Sequence, residues 1–308
     1  MAYVLMDVGG TQVKALACRG PEVPPGGITA FDAKSGGEKA EILRNFADII
    51  RSLSARLPES GRKLDGIGMA FPGPFDYKNG VSLMRGLGKY GAIFGCDIRR
   101  ELRRLLPRLI AEDVPFVFLH DVEAFAMGEI RYGTAVESRR AIHLCIGTGA
   151  GSAFTENGAV LRDPTETVPE NGWIYRTPFR GGIIDDYVSV RGLAGISKRF
   201  FENAPDGAEL ARLCGEGNSK ALAVFAEFGQ VVCEALEPFL RSFRPDTLVL
   251  GGQISKSYRR FGKALDGLCR DLDIQIAVSR DTSESIVKGL LSVLTESRPH
   301  AETDKGKE

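Results

Sequence analysis

Val4-Leu5-Met6-Asp7-Val8-Gly9-Gly10-Thr11-Gln12-Val13-Lys14-Ala15-Leu16 holds two apolar runs separated by a glycine turn. The first run reads as a buried strand that stops at Asp7, and the chain resumes at Val13 as a second strand. Glycines let a backbone come close to phosphate oxygens and bare its N–H donors. Thr11 adds a hydroxyl. Asp7, at a strand's end, suits hydrated Mg²⁺, which keeps most of its waters and takes one or two carboxylates. The stretch therefore reads as one side of a nucleotide-phosphate site. A plain β-hairpin with a Gly-Gly turn has the same pattern. Lys14 either reaches a phosphate or is a surface lysine on a strand.

A second stretch shifts the balance. Residues 141–155, Ala-Ile-His-Leu-Cys-Ile-Gly-Thr-Gly-Ala-Gly-Ser-Ala-Phe-Thr, again run strand, glycine turn with one threonine, strand. Gly147, Thr148 and Gly149 repeat the chemistry of the first turn, and the doubling predicts a duplicated fold. A third strand, Thr247 to Leu250, ends in Gly251-Gly252, where backbone without side chains leaves room for a flat ring and ribose.

Between these anchors the pattern alternates. Apolar spacing from Glu38 to Leu57, from Asp97 to Leu109, from Leu222 to Leu240 and from Ser285 to Leu294 predicts helices. Val122–Arg131 and Arg191–Phe201 also read as helices. Leu64–Ala70, Phe116–Leu119 and Ile274–Val278 read as strands. Residues 20–37 are turn-rich, with room for one edge strand. Phe71-Pro72-Gly73-Pro74-Phe75-Asp76 excludes regular structure, because two prolines flank a glycine. It is either a rigid ligand-facing loop or a plain turn. Asp121, after His120, sits at a strand-to-helix junction. It is either an N-cap or a general base projecting from the carboxyl end of a strand, where open α/β sheets place their ligands. Residues 162–184 form a long irregular loop of the kind that is often functional.

Composition narrows the class. Hydrophobic residues at 43% and charged residues at 26% fit a globular enzyme, and 308 residues suffice for about two domains. Lys plus Arg equals Asp plus Glu at 40 each, so no global field favours nucleic acid. No apolar run approaches the roughly 18 residues that cross a bilayer. The chain enters a strand at once, which leaves no room for a signal peptide. Cys18, Cys96, Cys145, Cys214, Cys233 and Cys269 never fall in a C-x-x-C spacing, which argues against a zinc knuckle and fits a reducing cytoplasm.

Asp7 to Thr11, Phe71-Pro72-Gly73-Pro74, His120-Asp121 with Gly128-Glu129 after it, Gly147-Thr148-Gly149-Ala150-Gly151 and Leu250-Gly251-Gly252 occur in the order seen in the ROK family. The resemblance runs from about residue 3 to about residue 295. It implies an α/β protein of the actin/hexokinase/Hsp70 superfamily, with two RNase H-like domains and a nucleotide/sugar cleft between them. The domains would be residues 1–121 and 122–295, with the helix at about 285–295 packing back on the first and a disordered tail at 296–308.

The resemblance also implies roles. Asp7, Gly9, Gly10 and Thr11 look like the first phosphate loop, with Asp7 near Mg²⁺, and Gly147, Thr148 and Gly149 look like the second. Gly251 and Gly252 look like the adenosine site. Asp121 matches the family's catalytic base. Glu170 matches the glutamate of its E-x-G-H sugar motif, and Asp185 a glutamate used on sugar hydroxyls. Gly73, His120 and Trp173 complete the expected sugar contacts. The activity implied is ATP-dependent phosphorylation of a sugar hydroxyl, with Mg²⁺, in a cytoplasmic protein that pairs with no nucleic acid or membrane and has a homodimer as an option.

The departures lie at the sugar end. His120 replaces the family's usual Asn, and Trp173 replaces its E-x-G-H histidine. Residues 171–188 contain no cysteine to complete a zinc site of one histidine and three cysteines, so no structural zinc is expected. Trp173 either stacks on a sugar face or fills the volume left by the metal loop. Packing of Trp173, Ile174, Tyr175 and Phe179 is expected to hold the loop instead. A DNA-binding regulator of the same family would need a helix-turn-helix ahead of Asp7, where only six residues stand. A non-catalytic sensor would not need Asp121 and both glycine turns.

Overall fold

The computed structural model describes residues 1–58 and 63–296. Residues 59–62 and the tail from 297 on lie outside the described residues. Glu296, expected to begin the tail, is the last residue of a helix. The chain divides into two units, one of residues 1–124 with 286–308, the other of residues 125–285.

In the first unit β1 (Ala2–Val8) and β2 (Gln12–Arg19) pair antiparallel around the opening turn. β3 (Thr29–Asp32) forms the edge. After α1 (Lys39–Ser54), β4 (Gly66–Phe71) lies parallel to β1. β5 (Phe75–Asp76) and β6 (Val81–Ser82) make a two-residue ladder in the Pro-Gly-Pro region. After α2 (Ile98–Leu105), β7 (Phe116–His120) lies parallel to β4. The sheet order is β3-β2-β1-β4-β7. α1 buries Ile42, Phe46, Ile49, Ile50 and Leu53, one helical face. α2 is capped by Asp97, which accepts from the Arg100 amide at 3.0 Å. It ends before Pro107, so Leu109, expected on its face, lies beyond it. Gly66 and Gly68 of β4 are bare because the C-terminal helix (Thr282–Glu296) lies on them. A Cβ on Gly68 would be 3.0 Å from the Leu290 Cβ.

α3 (Asp121–Tyr132) starts in the first unit and continues into the second. There β8 (Arg140–Ile146), β9 (Ala150–Glu156) and β10 (Ala159–Leu161) form an antiparallel meander. β11 (Pro178–Phe179) and β12 (Gly182–Ile183) pair within the long loop. The helices are α4 (Ile184–Tyr187), α5 (Val190–Phe200), α6 (Gly207–Gly215) and α7 (Ser219–Phe243). Beyond α7 come β13 (Thr247–Gly251), α8 (Tyr258–Phe261), α9 (Lys263–Asp271) and β14 (Gln275–Val278). α10 is the C-terminal helix already placed.

The second sheet has the order β10-β9-β8-β13-β14, with β13 parallel to both neighbours. Two antiparallel steps and two parallel steps, in the same order in each unit, make this a duplicated RNase H-like fold. Its cores are separate apolar clusters, the second built around the buried stripe of α7.

Candidate active site

The first glycine turn is braced by its neighbours. The Gly9 amide donates to the Gln12 carbonyl at 3.0 Å. A Cβ on Gly9 would lie 2.8 Å from that oxygen, so the turn admits no side chain there. Tyr90, fully buried, donates its hydroxyl to the Gly9 carbonyl at 2.8 Å, and Ser35 donates to the Gly10 carbonyl. Burial, reinforced by the charges of Asp7 and Asp32, raises the Tyr90 phenol above its ordinary value, so it stays a donor. With both carbonyls taken up, the Gly10 and Thr11 amides donate no hydrogen bond among the described residues. Thr11 is exposed and Asp7 half-buried. Asp7 is paired in register with Lys14 on β2 and Ala70 on β4. A single carboxylate beside open amides fits Mg²⁺ carried mainly by water and phosphate oxygens. Among the described residues no cluster of His, Cys, Asp or Glu could hold a metal by itself.

Gly73, His120 and Asp121 gather at the same end of this sheet. Phe71, last in β4, pairs with His120, last in β7. A Cβ on Gly73 would meet His120 at 3.7 Å, and the Tyr77 ring meets the His120 ring edge-on at 5.9 Å. The Asp121 Oδ1 lies 3.0 Å from His120 Nδ1 and accepts from the Val122 amide at 2.8 Å. Asp121 is the first residue of its helix and exposes 36% of its side chain. β4 separates β1 from β7, so Asp7 and the end of β7 stand two strand spacings apart, roughly 10 Å.

The second turn is shorter and differently braced. The Gly147 amide donates to the Gly149 carbonyl at 3.0 Å, and the Val190 amide donates to the Gly147 carbonyl at 2.9 Å. Asp185 Oδ1 accepts from the Ala150 amide at 2.7 Å, and its Oδ2 pairs with Arg191. A Cβ on Gly149 would lie 2.5 Å from Asp185 Oδ1, so the carboxylate's approach is what requires glycine there. Each Asp185 oxygen thus has one partner, the turn or Arg191; the resemblance assigns Asp185 to sugar hydroxyls. Thr148 is exposed.

The turn at Glu170-Asn171-Gly172 is pinned to β9. Ser152 donates to the Gly172 carbonyl at 2.6 Å and accepts from the Ile174 amide at 2.9 Å. Glu170 is exposed, and Trp173 is half-buried with Tyr175 at 6.1 Å. Ile174 is in the core, with Tyr175 and Phe179 against it; Trp173 is not among the residues packed there. At the third junction, Gly252 has φ +86 and donates its amide to Thr282 at 2.8 Å. A side chain on Gly251 would meet Phe125 at 2.7 Å and Cys145 at 3.0 Å. Packing against Phe125 and Cys145 thus requires glycine at 251.

Glu129 was marked in the sequence only as part of a motif. It is buried, and it accepts from the Thr134 amide and hydroxyl at 2.8 Å each and from the Ser285 hydroxyl at 2.6 Å. Burial pushes its carboxyl up, but bonds from Ser279, Ser285 and Thr134 outweigh this and hold it below its ordinary value. A Cβ on Gly128 would fall 1.9 Å from the Ser285 carbonyl oxygen, so Gly128 lets α3 touch the start of α10.

The ROK family's sequence profile matches residues 37–270, and the chain belongs to that family. The N-acetyl-D-glucosamine kinase of Vibrio atlanticus is 24% identical over 281 residues, 82% of this chain and 84% of that protein. A ROK family glucokinase from Streptomyces griseus, solved in complex with glucose and AMPPNP, superposes with TM-score 0.73 at 16% identity, covering 94% of this chain and 98% of its own. A ROK family transcriptional regulator, a homologue of the E. coli MLC protein, gives TM-score 0.73 at 16% identity over 95% of this chain and 80% of its own. At such identities the structural likeness is one of fold. No helix among the described residues is long and apolar enough to cross a membrane.

Proposed function

We propose that this protein transfers the γ-phosphoryl group of ATP to a hydroxyl of a hexose or hexose derivative, with Asp121 as general base. The observation that carries the reading is the half-buried, solvent-accessible Asp121 carboxylate, held beside His120 and the Val122 amide at the end of β7, on the sheet end that also carries Asp7 and the first glycine turn. The N-acetylglucosamine kinase relative and the glucokinase neighbour with bound glucose and AMPPNP support the sugar and the nucleotide.

Phosphoryl transfer asks for positioning and charge stabilisation more than covalent chemistry. In the first unit, the Gly10 and Thr11 amides and the Thr11 hydroxyl hold phosphate oxygens. Asp7 would hold Mg²⁺, which would supply neutralisation of phosphate charge. In the second unit, the Thr148 and Gly149 amides and the Thr148 hydroxyl are the further candidate phosphate donors, and Glu170 and Trp173 are the candidate sugar contacts. The sugar oxygen forms a bond to the γ-phosphorus as the bond to the β,γ-bridging oxygen breaks. Asp121 takes the hydroxyl proton, and ADP leaves with the electron pair of the broken bond. A sugar-responsive regulator would bind the same ligands without turnover. Asp121→Asn distinguishes the two: it should keep ATP affinity and lose about 10²–10⁴-fold in turnover. Turnover near the wild-type rate would remove Asp121 from the role of base.

A further inference from the structure

Residues 83–95 carry a lysine that the motifs did not single out. Gly86 and Gly88, at φ +71 and +68, bend the chain, and Tyr90 follows in the left-handed region at φ 56. Tyr90 ties this bend to the first glycine turn: its hydroxyl reaches the Gly9 carbonyl at 2.8 Å, and its amide reaches the Ser35 carbonyl at 2.6 Å. Lys89, its neighbour, is thereby laid across Gly10. A Cβ on Gly10 would sit 3.1 Å from the Lys89 Cδ and 4.0 Å from its Cβ. The side chain is half-buried and makes no hydrogen bond or ion pair among the described residues. The methylenes pack on Gly10 and leave the ammonium without a counter-charge beside the turn, where an anion would pair with it. The adjoining Gly10 and Thr11 amides are open donors, and anions gather where successive backbone N–H groups are bared.

Building on the function proposed above, we infer that Lys89 binds the terminal phosphates of the phosphoryl donor, its methylenes packed on Gly10 and its ammonium turned to the phosphate oxygens. Lys14, in register with Asp7 on the neighbouring strand, and Asp7 and Asp32, whose charges act on Tyr90, are charged groups near this turn. Asp7 is the group that Mg²⁺ would screen. The second turn differs, because its nearest cation, Arg191, is already paired with Asp185. Lys89, by contrast, has no ion-pair partner among the described residues, and its charge is left for the ligand.

The test is calorimetric binding of AMPPNP, ADP and AMP, with Mg²⁺, to the full chain and to Lys89→Met and Lys89→Arg. Methionine keeps the packing on Gly10 and removes the charge, while arginine keeps the charge. Lys89→Met should weaken AMPPNP about tenfold or more and AMP less than about twofold, with Lys89→Arg within about threefold of wild type, in line with charge-assisted hydrogen bonds. Equal weakening of AMPPNP and AMP, or none, overturns the inference, as does a wild-type chain that binds neither AMPPNP nor inorganic tripolyphosphate. A wild-type chain that binds AMPPNP but phosphorylates no sugar refutes the proposed function and leaves this binding test decisive for Lys89.

Discussion

The two glycine turns occupy the same place in two copies of one sheet, yet their charges come from different sources. The last register pair before the first turn is Val8–Val13, and before the second it is Ile146–Ala150. That alignment sets Asp7 against Cys145 and Leu5 against His143. The first turn carries its carboxylate on the strand itself and is braced by the neutral donors Tyr90 and Ser35. The second has a thiol at the matching position and receives its carboxylate from Asp185, in the helix after the long loop, where Arg191 neutralises it. Duplication thus preserved the backbone and not the electrostatics. On the proposed function, Mg²⁺ would have its protein ligand in Asp7 at the first turn, while the carboxylate at the second is paired with Arg191.

The largest expected effect tests that asymmetry directly. Asp7→Asn should lower kcat/KM by roughly 10²–10³-fold at fixed Mg²⁺ and raise the Mg²⁺ needed, since metal charge stabilisation is worth several kcal/mol. Cys145→Ser should leave both unchanged. Similar losses in the two variants would mean that the turns share the metal role.

A second contrast lies one step deeper in each sheet, where Leu5 is matched by a histidine. His143 is fully buried, meets Thr155 at 3.0 Å through Nε2, and has no partner at Nδ1. Burial lowers its pKa to about 4, partly offset by the charge of Glu129. The folded chain therefore keeps His143 neutral while the unfolded chain protonates it near the ordinary value of 6.5. Stability contributed by the neutral form should be lost as pH falls from about 6.5 to about 4, by up to about 3 kcal/mol. His143→Leu should flatten denaturation midpoints over that range, and an unchanged slope would assign acid sensitivity elsewhere.

Asp185→Asn removes the charge that joins the second turn to Arg191. A charged acceptor lost from the Ala150 amide should cost about 1–3 kcal/mol in stability or nucleotide binding, with a smaller effect on sugar affinity. Weakened sugar binding with intact AMPPNP binding would return Asp185 to the sugar. The smallest effect is expected at Tyr90→Phe, which leaves the Gly9 carbonyl without its donor, at about 1 kcal/mol in thermal unfolding.

What was legible in the sequence is local. The strand-glycine-strand pattern marked both turns, because alternation of apolar runs and glycines survives in one dimension. His120-Asp121 showed itself by standing at a strand's end. The partner of Asp185 could not be read, because Ala150 lies 35 residues away and only the fold joins them. That Phe125 and Cys145 leave no room for a side chain at Gly251 could not be read from sequence either, since only the fold brings them there. Lys89 was hidden among glycines whose bend, not composition, lays it on Gly10. α6 and α9 were passed over because they bury one residue, Leu210, and two, Leu265 and Cys269, too few for a visible stripe.

The central claim is sugar phosphorylation, and product analysis tests it most directly. The full chain would be incubated with ATP and Mg²⁺ over a panel of hexoses and N-acetylhexosamines, and sugar phosphate and ADP measured by mass spectrometry and ³¹P NMR. The account predicts one sugar phosphate formed per ADP with at least one sugar of the panel, and almost no ADP without sugar. Tight sugar binding with no sugar phosphate, or ATP hydrolysis at the same rate with and without sugar, would contradict it.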